Sequence, residues 1–231
     1  MLRQTWFRST QLSMRKLFYL FVNYVVLFLT CCLILYFEPY ISTRWAKSGK
    51  KNAGMKAEAL FHRIIKTNKS GKYGIKEPDQ ITYNSLVEAW SKTRSSAAAE
   101  KANQWLLKMD ESCRLGPKAY SYVAVIGAWS RCGKPGAVFN AEEVFDMMRA
   151  KYTAGNSFVR PNIDAYNNLI AAWANSGRDD AAENSERILR QMEAEYEAGS
   201  VFVIPNALTY SSVINGASLV KNHVFEVWTR R

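Results

Sequence analysis

Asparagine follows tyrosine in two phrases of the chain, "YNSLVEAW" from Tyr83 and "YNNLIAAW" from Tyr166, and each phrase ends in tryptophan. Asn84 and Asn167 each bring an amide with two donors and an acceptor. Trp90 and Trp173 each bring an indole face on which a nucleobase can stack. An exposed amide has no packing reason to recur after the tyrosine, although a solvated position or support of a helix start are the plainer uses for it. The tryptophans share one helical face with Leu and Ile, so core or inter-repeat packing is their simplest reading.

The rest of the pattern excludes most other chemistry. His62 and His223 stand alone, with no ligand or triad spacing. Cys31 and Cys32 sit in an apolar run and Cys113 and Cys132 are isolated, which suggests neither a disulfide framework nor a zinc site. No paired carboxylates, glycine-rich phosphate loop or nucleophile–base arrangement recurs, so the chain does not read as an enzyme. No cofactor, metal or small-molecule substrate is implied.

The elements that must position the amides are written as repeats. Pro78, Pro117, Pro161 and Pro205 open successive units. After each, Tyr83, Leu86, Val87 and Trp90 return as Tyr122, Val125, Ile126 and Trp129, and again as Tyr166, Leu169, Ile170 and Trp173; Tyr210, Val213 and Ile214 begin a last copy. This spacing defines one face of an α-helix, and Gly133 and Gly177 supply stops. A second periodic segment follows, "ANQWLLKM", "AEEVFDMM" and "SERILRQM", with Met109, Met148 and Met192 as core fillers. Neither helix can bury its stripe alone, whereas stacked hairpins bury a continuous core. The fold expected is all-α, a right-handed superhelical α-solenoid of helix-turn-helix repeats with one N-terminal transmembrane helix. The longer units carry their extra residues in "KYTAGNSFVR" and "EYEAGSVFVI", after the second helix.

The organisation read from the chain runs in five parts. Residues 1–16 are a basic segment, and residues 17–37 are a transmembrane helix. Residues 38–77 are a truncated repeat, 78–218 hold units starting at 78, 117 and 161 with a partial one at 205, and 219–231 are a divergent tail. Leu17 to Phe37 has no charged residue and suffices for a bilayer crossing. The acid-free, Arg-bearing stretch before it suits organelle targeting, to the mitochondrion or a plastid. Positive residues flank both sides, so the positive-inside rule assigns no orientation. "WAKSGKKNAGMKAEALFHRII" from Trp45 matches the second half of a unit, and "YSSVINGAS" breaks off before its tryptophan is due. The array therefore begins and ends inside a unit, as expected of a fragment or of a coding sequence interrupted near Phe37 to Trp45.

The chain has a formal charge of +11, but residues 1–77 carry 14 Lys/Arg against 3 Asp/Glu while residues 78–204 carry 14 against 16. The bulk charge is thus no argument for nucleic acid.

"PNIDAYNNLIAAWANSGRDDAAENSERILRQME" and "PDQITYNSLVEAW" resemble pentatricopeptide repeats, in a lengthened variant. The resemblance covers about Trp45 to Ser218. It implies an RNA-binding protein of organellar RNA processing, stability or translation, with single-stranded RNA as partner and one base read per repeat. It further implies that the residue after the first-helix tyrosine faces the base, together with the residue after the next proline. Carried over position by position, Asn84 pairs with Lys118, Val123 with Asn162, and Asn167 with Asn206, while Ser211 lacks a partner. The residues two before each tyrosine (Ile81, Tyr120, Asp164 and Leu208) would flank the base. Val123 and Lys118 depart from the family's usual amides, hydroxyls and aspartate. The alternative is a scaffold tethered to the membrane through residues 17–37, binding a protein or peptide in the same groove; the near-neutral charge of residues 78–204 suits it, because phosphate attraction dominates nucleic-acid affinity.

Overall fold

The computed structural model describes residues 52–69, 78–112, 116–134 and 136–216. The basic segment 1–16, the expected membrane span 17–37, Trp45 and the tail 219–231 lie outside the described residues. Among the described residues no helix is long and apolar enough to cross a membrane, and every regular element is helical.

Two kinds of helix alternate. First helices are α2 (Gln80–Ser91), α4 (Ala119–Ser130) and α6 (Ile163–Ala174), of 12 residues each. Second helices are α1 (Ala53–Lys69), α3 (Ser96–Ser112), α5 (Ala137–Thr153) and α7 (Ala181–Glu197), of 17 residues each. A further first helix, α8, begins at 207 and is described to 216.

Each first helix starts two residues beyond its proline, so the proline lies outside the helix and the residue after it is the N-cap. Asp79 accepts from Thr82 N–H at 2.9 Å, Asn162 from Ala165 N–H at 3.1 Å and Asn206 from Thr209 N–H at 3.1 Å. Each such cap is worth about 1 kcal/mol, since it satisfies a donor that the helix cannot. Lys118 holds the same place in α4 and makes no side-chain cap. Past the other end, Gly133 and Gly177 take φ of 60° and 65°, a region closed to most side chains.

The first-helix stripe fills the core as its spacing predicts. Tyr122, Tyr166, Ile126 and Ile170 are essentially inaccessible, and Met109, Met148 and Met192 meet them from the second helices. Trp129 and Trp173 are buried, and the indole N–H groups of Trp90, Trp129 and Trp173 find no acceptor among the described residues. Bulk rather than hydrogen bonding is therefore what these positions use. Trp90 lies so close to α1 that a Cβ on Gly54 would come within 2.4 Å of its ring. Thus the half-unit read from Trp45 onward does supply a second helix, and α1 stacks on α2 as α3 stacks on α4.

Neighbouring units are joined differently along their two edges. Consecutive first helices pack directly, α2 on α4 and α4 on α6, whereas consecutive second helices are not among the closely packed pairs. They reach each other through charged tips. Lys101 meets Glu58 at 3.2 Å, Lys151 meets Asp110, and Arg187 meets Glu142 at 2.5 Å. The first helices consequently line the inner, concave side of the array and the second helices its outer side.

Candidate nucleic-acid interface

The inner face is built from the residues just before and after each first-helix tyrosine. That tyrosine points into its own hairpin. Tyr166, for example, is wholly buried and donates to Glu195 Oε1 at 2.6 Å. Burial, reinforced by this carboxylate, pushes its phenol pKa well above the ordinary value. The flanking positions then fall on the side that faces the next first helix.

Asn84 and Asn167 sit at this boundary, only 9% and 7% exposed. The expectation that they are exposed amides is corrected here. Each finds a hydroxyl on the following helix: Ser121 Oγ donates to Asn84 Oδ1 at 2.6 Å, and Thr209 Oγ1 donates to Asn167 Oδ1 at 2.7 Å. Asn84 also donates through Nδ2 to the Tyr120 hydroxyl. An amide with such partners can be buried at little cost, which supplies the packing reason that the sequence pattern lacked. At the boundary between them, Val123 takes the amide's place and Ala165 the hydroxyl's. The pairing is thus amide with hydroxyl, or methyl with methyl.

The partner positions converge on the same boundary. Thr209 Oγ1 lies 3.1 Å from Asn206 Oδ1 as well as 2.7 Å from Asn167 Oδ1, so one hydroxyl joins the two residues paired by the resemblance. In the corresponding place Ser121 bonds Asn84 through its hydroxyl and Lys118 through its backbone N–H, at 2.9 Å to the carbonyl. Asn162 is half-buried and occupied as a cap, and Val123 is half-buried. Ser211 is exposed and donates to the Leu208 carbonyl at 3.0 Å.

Between α2 and α4 the inner face opens into a cleft of 460 Å³, bordered by Asn84, Glu88, Lys92, Tyr120, Val123 and Arg131. Glu88 and Lys92 neutralise each other at 2.6 Å. Arg131 donates to the Ser91 carbonyl at 3.0 Å and has Arg94 as a charged neighbour; burial, then that like charge, lowers its pKa. The α4 region, with Lys118, Arg131 and Lys134 and no acid from 116 to 136, is the most positive part of this face. Along its rim, Ile81, Tyr120 and Leu208 are 58%, 53% and 60% exposed, and Asp164 holds the same register in α6. One side chain per unit therefore projects into solvent beside each amide or valine.

Sequence reasoning did not find the hydroxyl partners, Ser121 and Thr209. A signal was present, since the residue before the tyrosine is a hydroxyl where the preceding unit has asparagine and alanine where it has valine. Nor did it find Phe158 and Phe202, exposed at equal register in the two long loops. Among the described residues no cluster of His, Cys, Asp or Glu could hold a metal ion.

No protein-family model matches the chain, and no curated protein matches it significantly. It is similar to two crystal structures of the pentatricopeptide repeat protein PPR10 in complex with an 18-nt psaJ RNA element, one of them a cysteine-substituted variant. Both likenesses have a TM-score of 0.46 and 18% identity, and cover 85% of this chain. The chain spans 30% of the length of those proteins. The helical-repeat architecture itself stands on the hairpin packing of α1 to α7.

Proposed function

We propose that this chain binds single-stranded RNA along its inner face, meeting about one base per unit. The observation that carries the reading is the rim of Ile81, Tyr120 and Leu208. These large apolar side chains are exposed at one register of successive first helices, beside polar groups that can meet a base edge. Bases stack on such side chains. In this reading Asn84, Lys118, Val123, Asn162, Asn167, Asn206 and Ser211 form the polar row. Asn84 and Asn167 would exchange their inter-repeat hydrogen bonds for bonds to a base edge. Asp164 interrupts the apolar rim, so the unit of α6 contributes less.

The basic, acid-free segment 1–16 and the uncharged run 17–37 support a place at an organellar membrane, in RNA processing, stability or translation. The test is a salt titration of the full-length chain, held in detergent, against a randomised single-stranded RNA pool. Binding at low salt that weakens as salt rises is the expected result. Absence of binding to any RNA at low salt would sink the proposal and leave the protein-binding scaffold in its place.

A further inference from the structure

The two long units share a feature that the repeat logic does not require. Their inserted loops end in "SFVRP" and "VFVIP", 44 residues apart. In both, the valine is driven into the core: Val159 is 0% and Val203 1% exposed. The preceding phenylalanine is thereby turned outward, Phe158 to 67% and Phe202 to 50%. A short 3-10 turn, Ser157–Val159, fixes the first of these and packs on both α4 and α5. The second loop is tied by Ile163 N–H donating to the Phe202 carbonyl at 3.0 Å. Each loop therefore returns to the N-terminal end of the first helix of its own unit, the end that carries the proposed base-facing groups.

A cation accompanies each ring. Lys118 Nζ lies 5.8 Å from the Phe158 centroid, and the Arg160 guanidinium lies 4.5 Å from that of Phe202 and 5.4 Å from that of Tyr152. Neither cation makes an ion pair among the described residues. Arg160 Nε is buried and has no acceptor. Exposed aromatic, unneutralised cation and orphaned donor are the complement of an unstacked base and its phosphate, since the ring offers a π face and the cation an anion contact. A protein surface would more often match such cations with carboxylates, and here the neighbouring acids are already engaged elsewhere: Glu142 by Arg187 and Glu195 by Tyr166.

We propose that Phe158 and Phe202, with Lys118 and Arg160, form a second row of base-stacking positions. It would be insensitive to base identity and present only in the lengthened units. This rests on the RNA-binding reading above and adds a subsite to it. Lys118 belongs to both rows and joins them.

The experiment measures affinity of the full-length chain in detergent for a randomised single-stranded RNA pool and for oligouridylate. Phe158→Leu and Phe202→Leu are each expected to lower affinity by about tenfold on both RNAs, with an unchanged thermal midpoint and an unchanged salt slope. Arg160→Gln is expected to reduce the magnitude of the log–log salt slope by about 0.7, as for one lost phosphate contact on a single strand. With 5-iodouridine in the RNA, photocrosslinks are expected at Phe158 and Phe202. Wild type that binds while both leucine variants bind equally well, with no crosslink at either ring, overturns the second row and leaves the RNA-binding reading intact. Wild type that binds neither RNA overturns both.

Discussion

The Thr209 hydroxyl donates to the Asn167 carboxamide across a repeat boundary, at 2.7 Å. Ser121 and Asn84 repeat the arrangement one boundary removed from it, with Val123 and Ala165 as the apolar version in between. The array thus contains both forms of one joint, and the apolar form can be transplanted. Asn84→Val alone strands the Ser121 hydroxyl and should cost about 1–3 kcal/mol. Adding Ser121→Ala should recover most of that loss, with a coupling of about 1 kcal/mol in a denaturant-melt cycle. The double variant is then as stable as wild type and lacks the amide, so its RNA affinity reports the amide's role separately from its structural one. Equal affinity of the double variant and wild type would remove Asn84 from the interface.

Lys118 occupies a cap position that its neighbours fill with Asp79, Asn162 and Asn206. An ammonium at a helix N-terminus also opposes the helix dipole. Lys118→Asp should therefore stabilise the fold by about 1–2 kcal/mol, read as a higher denaturant midpoint. RNA affinity should fall in the same variant. A stabilised variant with unchanged affinity would show that the lysine does nothing for RNA.

Gly54 has no room for a methyl group, which would sit 2.4 Å from Trp90 Cδ2 and 2.5 Å from Cε3. The obstacle is a packed ring rather than a flexible tip. Gly54→Ala should cost about 1–3 kcal/mol despite its better helix propensity. Contacts in a repeat array run only between neighbours, so hydrogen exchange should rise in α1 and the start of α2 and stay unchanged in α6 and α7.

Tyr166 gives the array an alkaline limit. Its phenol is held neutral in the folded state by burial first and by Glu195 second, while in the unfolded chain it ionises near its ordinary value of about 10. Below that value both states keep the proton and stability is unaffected. Above it only the unfolded chain loses the proton, so stability falls as pH rises. Tyr122, raised chiefly by burial, acts in the same direction. Tyr166→Phe should be about 1 kcal/mol less stable at neutral pH through loss of the Glu195 bond. Its stability should decline less steeply between about pH 9 and 11 than that of wild type, as measured by denaturant midpoints across that range.

The hairpins were legible in the sequence because the tyrosine-to-tryptophan stripe and the methionine positions recur in register, and those side chains are the ones the structure buries. Reading Trp129 and Trp173 as packing holds for the same reason. The amides were misjudged as exposed. Periodicity within one helix reveals which residues share a face, but whether that face meets solvent depends on how closely the next helix approaches. Here α2 on α4 and α4 on α6 approach closely, and Gly127, with Asn168 Nδ2 3.1 Å from where its Cβ would lie, is part of what permits it. The inserted loops were visible only as extra length. That their phenylalanines face outward follows from Val159 and Val203 facing inward, a choice made by tertiary packing.

Apolar side chains join the inner edge of the array, while the outer edge is joined by the ends of long charged ones: Glu58 with Lys101, Asp110 with Lys151, Glu142 with Arg187. Mechanically this is a strip with a stiff seam on one side and compliant stitches on the other. Thermal bending flexes the outer stitches and leaves the inner rise per unit nearly constant. Raising the salt concentration loosens the stitches and not the seam, so curvature is adjustable while the spacing presented to a bound strand is not.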